Sequence, residues 1–522
     1  MNLSKTYIQV PSWKGTAFVQ MTLDNDFNVP DAKPDIERIV QEKGKLNLQE
    51  VKPMDGKCLV RGALEFAILY IGDDGSGQLQ SMEGEIGFEE VVNMDGLQES
   101  DTVQVYWEME DLRSGLIHSR KMNMRSIAIL HMEGRRIEVE EIATAMESES
   151  GLWTQNQKVP LTLSYHQGKD QIRIRDEVMI PANRPNMMDI IWHQENIDHL
   201  DVKLQDGHID VHGSMSVFIL YRDEMMENTV NDVEINVPVE GRMEVMDVLQ
   251  EMISDVKVRL EQVKLDIRND SDGEARILGI EAVLAAEIQV YREETLELLQ
   301  DVYAPNVTYI PERKTVNLEH LILKNKSQCL VRERVKLKRD LARMLQICHT
   351  KAEVKIDQTE ATQEGIAVEG VIYLFILYIS SDDHKPVNSA KAMVPFNYVI
   401  ESGKISKMDT YNVYPSVEQL NVTMTDSDEI EVKMIVSLDT AIFKSVPIEV
   451  VCQVREEALD FEKIEAMPGM IGHVVEPNDS LWTLAKMYYA SPEDIREINH
   501  LEGDELPVGQ PLLIMKNMEI FK

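Results

Sequence analysis

The chain has 522 residues, 43% of them hydrophobic, with 91 acidic against 53 basic side chains and a formal charge of −38. That length allows three or four domains with cores of their own, and the hydrophobic share excludes a disordered chain; the charge repels nucleic acid and anionic lipid and suits a basic or neutral partner. Cys58, Cys329, Cys348 and Cys452 form no Cys-x-x-Cys pair, no apolar leader follows Met1, and the longest apolar run, Val371 to Ile379, is too short to span a bilayer, so a cytoplasmic protein with reduced thiols and no membrane span is expected.

Met21, Leu23, Phe27 and Val29 alternate as strand residues do, and the pattern returns at Ile172, Ile174, Val178 and Ile180 and at Cys329, Val331, Val335 and Leu337. Pro30-Asp31-Ala32-Lys33-Pro34-Asp35, matched by Pro181-Ala182-Asn183-Arg184-Pro185-Asn186, then precedes apolar residues in steps of three and four: Ile36, Ile39 and Val40, then Met187, Ile190 and Ile191, then Met344, Ile347 and Cys348. Proline ahead of that spacing predicts one short helix in each copy. The third copy, Lys338 to Arg343, lacks both prolines.

Two strands next pass through turns at Asp55-Gly56, Asp206-Gly207 and Glu364-Gly365. They lead into Val60-Arg61-Gly62-Ala63-Leu64-Glu65-Phe66-Ala67-Ile68-Leu69-Tyr70, a stretch rewritten from Val211 to Tyr221 and from Val368 to Tyr378, each time opening Val-x-Gly and closing Ile-Leu-Tyr. The spacings, 151 residues from Gly62 to Gly213 and 157 from Gly213 to Gly370, are those of whole domains. A glycine inside a strand predicts a bulge or a close backbone approach, and apolar residues on both faces of Leu64 to Ile71 predict a central strand covered on both sides.

Hairpin signals follow at Asn269 to Gly273 and Asp426 to Asp428, whereas His118 to Lys121 carries no standard turn. The reading is mainly β: three tandem antiparallel β domains over 1–157, 158–314 and 315–465, each a sandwich or partly open barrel with a short helix. Set in series they would form a rigid rod that presents a terminal hook, a small β-α-α-β module at 470–520.

In that module His473-Val474-Val475-Glu476-Pro477-Asn478-Asp479-Ser480-Leu481-Trp482-Thr483-Leu484-Ala485 passes from strand to helix, with Asp479 or Ser480 as cap and Leu481, Leu484, Ala485 and Tyr488 on one apolar face. Ser491-Pro492-Glu493-Asp494 starts a second helix that Asn499 ends, and Leu506 to Ile514 closes the unit. Asn478-Asp479-Ser480-Leu481-Trp482, Leu484-Ala485, Asn499 and Leu506-Pro507-Val508-Gly509-Gln510-Pro511-Leu512 resemble the LysM domain along its whole length. That resemblance implies a groove, lined by Asn478, Asp479, Ser480, Leu481, Pro507, Val508 and Gly509, of the kind that takes N-acetylglucosamine polymers. Asn478 stands where glycine is usual, and His473 where tyrosine is usual.

The segment Phe27 to Ile36 and the Val-x-Gly to Ile-Leu-Tyr strand resemble the SPOCS domain. Three such domains and one LysM are the layout of SipL-type spore-coat morphogenetic proteins, similar in role to SpoVID. The resemblance implies synthesis in the mother-cell cytoplasm and a later place at the forespore surface in the coat. It also implies LysM-mediated binding to the coat ATPase SpoIVA alongside other coat proteins. The alternative is a peptidoglycan-binding LysM protein of the spore envelope.

Nothing nominates a catalytic residue, a metal ligand or a cofactor, so no enzyme is expected. His208 and His212 have a zinc-like spacing but lie on an alternating strand, which favours a solvated face. Asn269 to Glu274 resembles the start of a calcium loop but has strand flanks and no twelfth-position glutamate, which favours a hairpin. Trp482 reads as core packing beneath the groove.

Overall fold

The computed structural model describes residues 2–73, 77–147, 152–226, 229–305, 307–337, 342–382, 386–406 and 409–516. The first copy runs through β1 (Asn2–Asn28), β2 (Ile36–Met54), β3 (Lys57–Gly72), β4 (Leu79–Asn93), β5 (Thr102–His118) and β6 (Lys121–Glu147). The second comprises β7 (Trp153–Met179), β8 (Met187–Gln205), β9 (His208–Asp223), β10 (Val230–Glu244), β11 (Ile253–Asn269) and β12 (Ala275–Tyr303). The third comprises β13 (Thr308–Lys336), β14 (Met344–Ala361), β15 (Gly365–Ser380), β16 (Val387–Glu401), β17 (Thr410–Asp426) and β18 (Glu429–Glu457). In every copy two three-stranded antiparallel sheets face each other across an apolar core: β2-β3-β4 on β1-β6-β5, then β8-β9-β10 on β7-β12-β11, then β14-β15-β16 on β13-β18-β17. Of the two expected shapes this is the sandwich.

The thrice-written stretch is the middle strand of its sheet, and its alternation serves two cores. Leu64, Phe66, Ile68 and Tyr70 fill the first sandwich, while Ala67, Leu69 and Ile71 face a second cluster shared with the other copies. The strand glycine has a plain cause: a Cβ on Gly62, Gly213 or Gly370 would overlap the carbonyl oxygen of Asn47, His199 or Lys355 on the bulged strand opposite. The closing tyrosines are fully buried. The hydroxyls of Tyr70, Tyr221 and Tyr378 donate to the carbonyls of Pro34, Pro185 and Ala342 at 3.2, 3.2 and 3.1 Å, tying each middle strand to the residues that lead into its sheet.

The short helix expected in each copy is not there. Residues from Ile36, Met187 and Met344 onward are strand, and the entry to the third, at 338–341, lies outside the described residues. The helix-like spacing comes from two bulges placed close together. The register slips between Ile36 and Arg38 and again between Ile39 and Gln41, with counterparts in β8 and β14. Ile36 and Ile39 therefore meet the sandwich core, whereas Val40 turns to the opposite cluster. The proline segment is a turn, held in the first copy by Arg120, which donates to Asp35 Oδ1 at 2.9 Å and to the Lys33 carbonyl at 3.0 Å. Arg276 does the same in the second copy, donating to Pro181 O at 2.8 Å and Asn186 Oδ1 at 3.0 Å.

The copies do not lie in series as a rod. Leu69, Leu220 and Leu377, the same position of each copy, pack in one cluster with Val40 and Ile191, against which Cys348, Val230 and Val387 also lie. Each fully buried leucine is worth roughly 1.5–3 kcal/mol. Further along, the outer strands continue as three two-stranded ribbons, where β6, β12 and β18 each touch the other two and Ile142, Leu298 and Val450 meet. Equivalent residues thus surround one axis with approximate threefold symmetry. The first copy closes on the third: Arg38 donates to Asn388 Oδ1 at 2.9 Å and to the Val387 carbonyl at 3.0 Å, and Lys391 pairs with Glu42 at 2.7 Å.

Between the copies lies a cavity of ≈ 2200 Å³ lined by all three. Tyr106, Lys257 and Tyr414 occupy equivalent positions at it, with the Lys257 ammonium 3.3 Å from the Tyr414 ring centroid and 5.2 Å from that of Tyr106. Asn269 to Gly273 forms the hairpin turn expected, Asp270 Oδ1 accepting the N–H groups of Asp272 and Glu274 at 2.9 and 3.0 Å. His208 and His212 lie on β9. After β18 come α1 (Phe461–Ala466), then β19 (Met470–Val474), α2 (Leu481–Tyr488), α3 (Pro492–Ile498) and β20 (Pro511–Met515), the last four realising the β-α-α-β order. No described helix is long and apolar enough to cross a membrane.

Candidate functional site

The terminal module folds from local signals. Ser480 caps α2: its Oγ accepts the Thr483 N–H at 3.1 Å, and Thr483 Oγ1 accepts the Ser480 N–H at 2.8 Å. Ser491 caps α3 by accepting from Asp494 N at 3.2 Å, with Pro492 at the first turn. Asn499 ends α3 and staples it to β20, exchanging bonds of 2.8 and 2.7 Å with Leu513 O and N. Leu481, Leu484, Ala485, Ile495, Leu512 and Ile514 make the core.

Two lips stand beside one another because Val475 joins them, its carbonyl accepting from Gly509 N at 2.8 Å and its N–H donating to Gln510 O at 3.0 Å. The first lip is the turn at 476–479 and the second the turn at 507–510. Asn478 has φ 78° and Gly509 φ 87°, left-handed backbone that glycine adopts freely and asparagine tolerates, which accounts for Asn478 at a usual glycine position. Asn478, Pro507, Val508 and Gly509 are exposed, Val508 by 67%. Leu481, by contrast, is only 4% exposed and packs inward, and Ser480 is engaged as a cap.

Asp479 also turns partly inward. Its Oδ2 lies 2.7 Å from His473 Nε2 and accepts the Glu476 N–H at 2.8 Å, and His473 Nδ1 lies 3.0 Å from the Tyr488 hydroxyl. His473, followed by the Glu476 N–H, holds the Asp479 carboxyl below its ordinary range. The histidine at the usual tyrosine position thus braces the first lip from below.

Trp482 differs from its expected role. It is half-buried against the module's core, but its Nε1–H leaves the module and donates to Asp301 Oδ2 at 2.9 Å. One turn on, Lys486 reaches the same carboxylate at 2.9 and 2.7 Å. Tyr303 stacks on Trp153, with ring centroids 5.6 Å apart, and meets Trp482 edge-on at 6.3 Å. One face of α2 is therefore seated on the end of the β7–β12 ribbon, and the two lips remain outside. The sequence held a signal for the seat in Trp482 and Lys486, four apart on a helix, but none for its partner 181 residues away.

Family models match the chain at 35–117, 186–268 and 343–425 (SipL, SPOCS domain) and at 473–514 (LysM domain). Each SPOCS match spans the same four strands, from the bulged strand after the turn to the partner of the long returning strand, and omits the ribbons. Both are non-catalytic binding-domain families. No curated protein and no solved structure matches the chain.

Proposed function

Because the chain is built from three SPOCS domains of the SipL family and a C-terminal LysM domain, we propose that it is a non-enzymatic spore-coat adaptor that tethers the assembling coat to the forespore surface by LysM-mediated docking on the coat ATPase SpoIVA. The family implies sporulation. The protein is made in the mother-cell cytoplasm and ends in the coat, where the three-copy body meets other coat proteins. The observation that carries the docking role is the seat of α2: it fixes the module on the body and leaves both lips outward, with Val508 largely exposed. The exposed valine offers a partner an apolar anchor.

The test is capture of purified SpoIVA by the full chain and by its Val508→Asp variant. Capture lost in the variant, with an unchanged unfolding curve, supports the reading; equal capture by both chains refutes it. The LysM match itself favours a second reading, peptidoglycan binding in the same groove. Titration with chitotetraose decides between them: micromolar affinity lost in the same variant favours the glycan, and affinity weaker than about 1 mM favours the protein partner.

A further inference from the structure

We propose that the segment received by the groove is cationic, an apolar side chain flanked by lysines or arginines; this rests on reading the groove as a protein-docking site. The apolar element is the exposed ridge of Pro507 and Val508, on the lip that the hydrogen bonds of Val475 join to the first. Carboxylates rim it. Glu476 opens the first lip and Glu502 and Glu505 lead into the second; all three are exposed, and no salt bridge among the described residues reaches any of them.

Among the described residues, the lysines and arginine of the module are spent elsewhere. Lys486 is held by Asp301, Arg496 pairs with Asp504, and Lys516 Nζ donates to the Ile464 and Met467 carbonyls at 2.8 and 3.2 Å. Among the described residues no lysine or arginine of the module answers these three carboxylates, on a chain whose formal charge is already −38. Neither lip nor its flank, taken as 476–481 and 505–510, carries an aromatic ring on which a sugar would stack. An apolar contact at Val508 supplies affinity, and flanking cations supply register and a salt-dependent association rate.

The test uses the full chain and three probes in isothermal titration: a synthetic peptide alternating lysine and leucine, its glutamate–leucine counterpart, and chitotetraose. Two variants accompany it, Val508→Asp and the triple change Glu476→Lys, Glu502→Lys and Glu505→Lys, which leaves the acidic body untouched. The lysine–leucine peptide is expected to bind, to weaken about tenfold or more in the triple variant, and to lose most of its affinity when salt is raised from about 0.05 to about 0.5 M. Unchanged binding by the triple variant, or equal binding of the glutamate–leucine peptide, overturns the charge assignment. In that case loss of SpoIVA capture by Val508→Asp still upholds the groove as a docking site. Tight chitotetraose binding lost in Val508→Asp overturns both.

Discussion

Replacing Asp301 by alanine should free the LysM module from the body without unfolding either. The carboxylate side chain is only 14% exposed and receives the Trp482 N–H and the Lys486 ammonium, while Arg313 stands 3.8 Å away. A hydrogen bond to a charged group contributes about 1.5–3 kcal/mol net, and Lys486, already partly in solvent, would recover water once released. Taking one such bond as the net loss, the undocked population should rise by roughly tenfold to a hundredfold. Hydrogen exchange of the α2 backbone is a poor readout, since the helix persists. Exchange of the Trp482 indole N–H and protease cleavage of the 458–469 connector are direct ones, and both should accelerate by that factor. The melting profile of the module should stay in place. Unchanged cleavage and indole exchange in Asp301→Ala would refute the seat, as would a Trp482→Ala chain whose module melts separately and early, because that would make the indole a core residue.

Other consequences follow from the axis. Leu220→Ala empties a position 3% exposed at the meeting of the three copies, and should cost about 2–5 kcal/mol in urea unfolding, with loosened contact between copies. Gly213→Ala forces a methyl onto the His199 carbonyl and should destabilise by more than about 1 kcal/mol, whereas Gly87→Ala, open on all sides, should stay within about 0.5 kcal/mol of the parent. Burial pushes the Lys257 ammonium down to about 8. The unfolded chain, with an ordinary lysine near about 10.4, then binds more protons between those values, so stability should rise with pH across that interval. Lys257→Met should remove the rise and stabilise the protein at pH 7; a chain whose pH profile above 8 is unaltered by the change would sink that assignment.

Much of the fold was legible because period-two alternation and a repeated glycine are local. The glycine in Val-x-Gly faces an opposing carbonyl, and the Ile-Leu-Tyr ending divides its leucine to the axis and its tyrosine to the core, so each position has a single reason. The helix after Pro34 misled because two bulges within five residues reproduce the spacing of an amphipathic helix. The gathering of the copies around an axis was hidden for another reason. A strand apolar on both faces says that something covers the second face, but not that the cover is the same strand from two other copies. At the LysM groove, the helix caps were readable from sequence. Leu481 turns inward with the apolar face it was read on rather than lining the groove, and the brace from His473 depended on a contact across the module.

The closure of the first copy on the third has a bearing on how the chain is made. Arg38 waits on a ribosome for Asn388, about 350 positions later, and until then the face carrying Val40 and Leu69 has no complete lining. Synthesis halted after the second copy would leave a two-thirds ring with a greasy seam, a natural substrate for chaperones and proteases. Nonsense mutations anywhere before residue 457 are thus expected to yield degraded chains rather than shortened working ones, so loss of the whole body, not of its last third, is what a truncated gene would deliver.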